Sequence, residues 1–160
     1  MYKAVLADAG LTGYRPFFRD IQFLLALLVG VFVWFEMWFL SSNLLPVFLV
    51  QNSFIFFLSV VLWQPFLEEL LFRGVVQGQF RLHNWGKEKR WGITRANLFA
   101  SLLFVLVHFI YHSPLWAIAV FFPSLVFGYF RDKYGSIYAA LALHVFYNAG
   151  YFLLGLLKMV

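Results

Sequence analysis

From Ala96 to Phe130 the chain runs for 35 residues without a single Asp, Glu, Lys or Arg. As one straight helix this stretch would be roughly 52 Å long, well beyond a hydrocarbon layer of about 30 Å. Ser113-Pro114 is its natural break, because proline disfavours helical geometry in the residue before it. Other apolar runs flank this pair: Ile21 to Leu40, broken only by Gln22 and Glu36; Leu44 to Leu67, with no charge; and Tyr134 to Leu157. With 63% apolar residues, 22% aromatic and 12% charged, the chain lacks the polar surface to cover a water-soluble core. The same numbers exclude a disordered chain. The expectation is one domain over residues 1–160: an all-α, polytopic transmembrane bundle of about five or six helices enclosing a buried polar cavity. No internal repeat supports a transporter built of inverted halves.

The net charge is +5, with the basic residues spread over the segments between apolar runs. Lys3, Arg15 and Arg19 precede the first run; Arg81, Lys87, Lys89, Arg90 and Arg95 follow the second; Arg131 and Lys133 precede the last. This asymmetry orients a membrane protein with its N-terminus in the cytoplasm and does not suggest a nucleic-acid surface. These clusters anchor the chain at the bilayer, where binding to anionic head groups is compatible with them. The first run reads as a span, since no small-residue cleavage site follows it. Cysteine is absent, which excludes disulfides, thiolate metal sites and a cysteine nucleophile.

Polar groups inside apolar helices are costly and usually face a cavity where they do something. Glu69 and Arg73 stand four residues apart and can pair on one helical face, while Glu68 points about 100° away. Asn97, Ser101, Phe104 and His108 form a stripe that reads as the wall of a wet cavity. His144 and Asn148 lie one turn apart and can converge on a single oxygen. The structural alternatives are a juxtamembrane charge cluster for the first group and interhelical hydrogen bonding for the others. Counted from the cytoplasmic helix ends, Glu68, His108, His144 and Asn148 all fall roughly 14–21 Å deep, which favours one shared site. Glu36 belongs to none of these groups and pairs with Arg73 or meets a wet interface. Gly74-x-x-x-Gly78 is a weak signal for close helix packing.

Glu-Glu-x-x-x-Arg, then Phe-x-x-x-His, then His-x-x-x-Asn, on successive apolar helices from about Trp63 to Tyr151, resembles the CPBP family. That family includes the CAAX prenyl endopeptidases of the Rce type and bacterial members named as Abi or bacteriocin-immunity proteins. Leu71-Phe72-Arg73-Gly74 and Tyr134 to Ala140 also look like the family's surroundings for these motifs. The resemblance implies a glutamic-type intramembrane protease. Carried over, Glu68 and His108 activate water, His144 and Asn148 stabilise the oxyanion, and Glu69 and Arg73 support the site. It also implies a multi-pass protein of a bacterial or archaeal plasma membrane. The substrate is a membrane-anchored protein or peptide, and oligomeric state is left open. Many members carry additional helices, from which this chain departs.

The residue types agree with peptide hydrolysis, which needs a base for water and donors for the oxyanion. Ser101 stands two turns from His108, too far for direct activation. Two His and one Glu could bind zinc with water in the fourth position, but His-Glu-x-x-His is absent and Asn is a poor zinc ligand. The expectation is catalysis without a cofactor, with the zinc-dependent version as its alternative. A non-enzymatic immunity or interaction protein, and a small proton-coupled carrier, are the other functions compatible with these residues.

Overall fold

A computed structural model describes residues 6–40 and 54–157 of the chain. They form α1 (Ile21–Leu40), α2 (Phe54–Leu82), the short α3 (Asn84–Lys87), α4 (Arg95–His108), α5 (Pro114–Tyr134) and α6 (Tyr138–Leu157). A hairpin of β1 (Lys89–Arg90) and β2 (Ile93–Thr94) joins α3 to α4. The described residues are therefore all-α apart from one two-stranded hairpin. The expected segments appear as helices, and the break falls where proline placed it: α4 ends at His108, and α5 starts with Pro114 in its first turn. Residues 44–53 of the expected second span, with Lys3, lie outside the described residues.

Helices α1, α2 and α5 are long and apolar enough to cross a membrane; α4 and α6 are apolar but shorter over their described side chains. On α1, Leu25, Leu28, Val29, Phe32, Phe35 and Phe39 are all exposed. An apolar surface of this extent is stable against lipid and not against water. The three candidate spans are those of an integral membrane protein.

Local chemistry explains the irregular helices. Pro65 lies inside α2 and has no N–H to give. The turn before it widens to π geometry over Ser59–Trp63, and Gln64 N–H reaches back to Ser59 O. A second π stretch covers Leu70–Gln77. Such stretches are rare and often accompany functional sites. In α5 the turn loosens at Val120, three residues before Pro123, whose ring disfavours a regular turn there.

The chain divides into two compact units. The first contains residues 1–16 and 67–141. Here α4 packs on α5 and on the C-terminal half of α2. Ala96 and Ala100 are wholly buried one turn apart, giving α4 a flat face, and Phe72, Phe104, Phe127 and Phe130 fill the space around it. Gly128 on α5 sits so close to the Asn97 side chain that a Cβ would collide with it. The second unit contains residues 17–66 and 142–160. In it Trp34 of α1 packs on Phe146 of α6, with ring centroids 4.4 Å apart, and Gly150 leaves room for the Trp34 indole.

Candidate active site

Within the first unit, Glu69 and Arg73 are both fully buried and form an ion pair, Nε to Oε2, at 3.3 Å. The contact is held by charge more than by a well-aligned hydrogen bond. Arg73 Nη2 donates to Ser124 Oγ of α5 at 2.7 Å. The guanidinium also lies 5.4 Å from the centroid of the Phe104 ring, within cation–π range. The i, i+4 pairing read from sequence is present, although Arg73 stands in the π stretch and Glu69 in the α-helical turn before it. Glu36 lies exposed on α1.

Further polar contacts fix this pair from the end nearer Leu82. Gln77 Nε2 donates to Gly128 O at 2.8 Å and to Asp132 Oδ1 at 2.9 Å. Asp132 also accepts from Thr94 Oγ1 at 2.6 Å and pairs with Arg81 at 3.1 Å. Arg131 is buried and donates from Nε to the carbonyl of Arg73, and from Nη2 to the carbonyl of Asp8. The expectation that Arg131 sits in a basic connecting loop is corrected: it lies inside α5, where carbonyls from two distant parts of the chain take its donors. A Cβ at Gly74 or Gly78 would press on the backbone oxygen of Ala9 or Asp8, so these glycines let the N-terminal segment, helical at residues 6–8, approach α2 closely.

The stripe on α4 divides in two. Thr94 caps the helix, its hydroxyl accepting from Asn97 N at 3.0 Å. Asn97 Nδ2 donates to Leu125 O at 2.9 Å, and Ser101 Oγ donates to Asn97 Oδ1 at 3.1 Å. Both residues are wholly buried. In this lower part of the stripe, Asn97 ties α4 to α5 and Ser101 is tied to Asn97 within α4.

His108 differs. It is half-buried in the last turn of α4, and its Nδ1 lies 2.8 Å from the carbonyl of Phe104. A carbonyl can only accept, so Nδ1 carries the hydrogen, and in the neutral ring Nε2 carries the lone pair. The imidazole stands between two rings: Phe104 at 4.3 Å and His112 at 5.4 Å, the latter nearly parallel. His112 lies in the turn after α4, and its pKa falls below 6.5 through partial desolvation first and the nearby His108 second, with Glu68 acting in the opposite sense. Glu68 is half-buried on α2, close enough to exert that electrostatic effect.

In the second unit, His144 is buried on α6, and Asn148 is half-buried one turn further on. Asn148 Nδ2 donates to Val60 O, in the first π stretch of α2, at 3.0 Å. An amide nitrogen carries two hydrogens, so a second remains for another acceptor. Tyr147 anchors the same helix through its hydroxyl to Ala26 O at 2.9 Å, and its own carbonyl accepts from Trp34 Nε1. Since α6 starts at Tyr138, His144 and Asn148 lie six and ten residues beyond the helix start.

Sequence reasoning missed Ser124, Gln77 and Asp132. Each was legible only as a polar residue in or beside an apolar run, without a partner. Among the described residues, no group of three His, Asp or Glu side chains is arranged to hold a metal ion.

The six motif residues fall within residues 50–150, which match the family model described as "Type II CAAX prenyl endopeptidase Rce1-like". No curated protein and no solved structure matches the chain. The match spans well over half of the sequence and includes every carboxylate, imidazole and amide described above as a candidate. An apolar helical chain with buried charge, a tautomer-fixed imidazole and this match belongs to the Rce1-like CAAX prenyl endopeptidase family, a family of membrane proteases.

Proposed function

We propose that the chain is an intramembrane endopeptidase that cleaves a membrane-anchored protein or peptide. Glu68 and His108 share the attacking water; His108 Nε2 or the Glu68 carboxylate takes its proton as the oxygen adds to the scissile carbonyl. His144 and Asn148 donate to the oxyanion that results. The proton then passes to the departing amine nitrogen as the C–N bond breaks, which returns the base to its starting state. Glu69 and Arg73 support the Glu68-bearing helix and do not touch the substrate. The five apolar helices serve as spans around a polar cavity, with the N-terminus cytoplasmic, and catalysis needs no metal.

The observation that best supports this reading is the bond between His108 Nδ1 and the Phe104 carbonyl. It supports the other ring nitrogen, which carries the lone pair in the neutral ring, as the proton acceptor. Asn148 fits its role in the same way: one amide hydrogen is tied to Val60 and the other is left to donate.

The decisive test compares membrane proteomes of cells carrying the wild-type chain and Glu68→Gln. Accumulation of uncleaved membrane-anchored precursors in the variant supports the reading. Identical proteomes, with both proteins folded and inserted, count against proteolysis and for a scaffold. Chelator treatment of active protein addresses the zinc alternative: activity lost and restored only by zinc would replace the metal-free mechanism.

A further inference from the structure

The hairpin between α3 and α4 presents an arrangement that the proteolytic site does not use. Its two-residue turn is Trp91-Gly92, with φ of +51° and +82°. Two successive positive φ angles are the signature of a type I′ turn, which favours Asn-Gly. A bulky residue at the first position is a conformational outlier. Trp91 occupies it and is 89% exposed, the highest value among the exposed large apolar side chains. Neither burial nor turn chemistry explains an indole there.

Its surroundings are cationic. Lys87, Lys89, Arg90 and Arg95 are all exposed, with Glu88 the one acidic residue among them. Glu88 is taken by Arg95 at 2.8 Å. The Arg90 guanidinium lies 4.7 Å from the centroid of the Trp91 ring, so charge and aromatic surface form one patch at the tip. The hairpin leads directly into α4 through the Thr94 cap. This places the tip close to where an apolar helix meets the edge of a bilayer. Tryptophan favours that interface, and lysine and arginine there attract anionic lipid.

We propose that the Lys89–Arg90–Trp91 tip is a lipid-binding element. It seats the indole in the headgroup layer of the leaflet at the N-terminal end of α4 and holds an anionic phospholipid headgroup against Lys89 and Arg90. The strained turn orients the ring outward. Since β2 ends at the Thr94 cap, seating the tip also fixes the depth at which α4 enters the membrane. The occupant is the acidic lipid of the protein's own bilayer, because the patch joins an interfacial ring to uncompensated positive charge.

The test uses the full chain in nanodiscs of phosphatidylcholine brominated at shallow acyl positions, with or without about one third phosphatidylglycerol. Subtracting the emission of Trp91→Phe, and separately of Trp91→Tyr, isolates the Trp91 signal. That signal should be quenched by the brominated lipid, with a quenched fraction about twofold greater when phosphatidylglycerol is present. The increase should vanish in Lys89→Gln/Arg90→Gln. It should also vanish at about 1 M salt, where the screening length falls to about 3 Å. Quenching of Trp91 by aqueous iodide but not by brominated lipid would overturn the proposal and indicate a water-facing or protein-binding tip. Equal quenching in neutral and anionic discs would overturn the headgroup recognition. Neither readout depends on proteolysis.

Discussion

The two units carry different kinds of candidate residues and hold them differently. In the first, ionic groups sit in the interior: Glu69 and Arg73 are fully buried, with Ser124, Gln77, Arg131 and Asp132 arranged behind them. In the second, the candidates are an imidazole and a neutral amide, and Asn148 is tied to a backbone carbonyl of the same unit. Buried charge must be compensated by partners from several elements, whereas a neutral donor needs only one well-placed acceptor. Positioning a carboxylate in an apolar fold therefore demands a network, and positioning a neutral amide does not.

The sharpest way to break this contrast is to remove Arg73. Arg73→Leu leaves Glu69 buried without its cation and should destabilise the protein by about 3–5 kcal/mol, read as a fall in thermal unfolding temperature. Adding Glu69→Leu should recover much of the loss; no recovery would show that the arginine acts through other contacts. In the second unit, Asn148→Ala should do the reverse. Cleavage should fall about 10²–10³-fold, the scale for one oxyanion donor. Stability should fall by only about 1 kcal/mol, the value of an ordinary hydrogen bond.

Ser124→Ala probes the network at one remove. It deletes an acceptor for a buried guanidinium and should cost about 1.5–3 kcal/mol in the same unfolding assay, with valine no better than alanine. The smallest effect concerns pH. His112 has a folded pKa below its ordinary value, so the folded state resists its protonation. Its contribution to stability is fully present above pH 6.5 and is lost as pH falls through the lowered folded value. His112→Gln should therefore show a smaller drop in unfolding temperature between neutral and mildly acidic pH than wild type does.

Much of the candidate site was legible because its residue types are improbable where they stand. Glu68, Glu69, Arg73, His108, His144 and Asn148 announce themselves as polar groups in apolar helices, and their motif spacing led to the family. What sequence could not do was sort functional polar residues from structural ones. Asn97, Ser101 and His108 share one stripe, yet the first two spend their hydrogen bonds on α5 and on each other, whereas His108 bonds the Phe104 carbonyl of its own helix through Nδ1. Arg131 looked like an anchor and is an interior donor to two carbonyls.

By itself the sequence determined that the chain has the apolar runs of a membrane protein, where the long helices of its described residues fall and which side chains are too polar to be there without cause. These follow from local quantities: hydropathy, charge spacing and the constraints proline places on its neighbours. The tertiary structure alone decided which polar group is satisfied by which partner. The Arg73–Ser124, Arg131–Arg73 and Arg131–Asp8 contacts join residues 51, 58 and 123 positions apart. A hydrogen bond forms only within about 3 Å, and no local pattern encodes which distant atom will arrive at that distance.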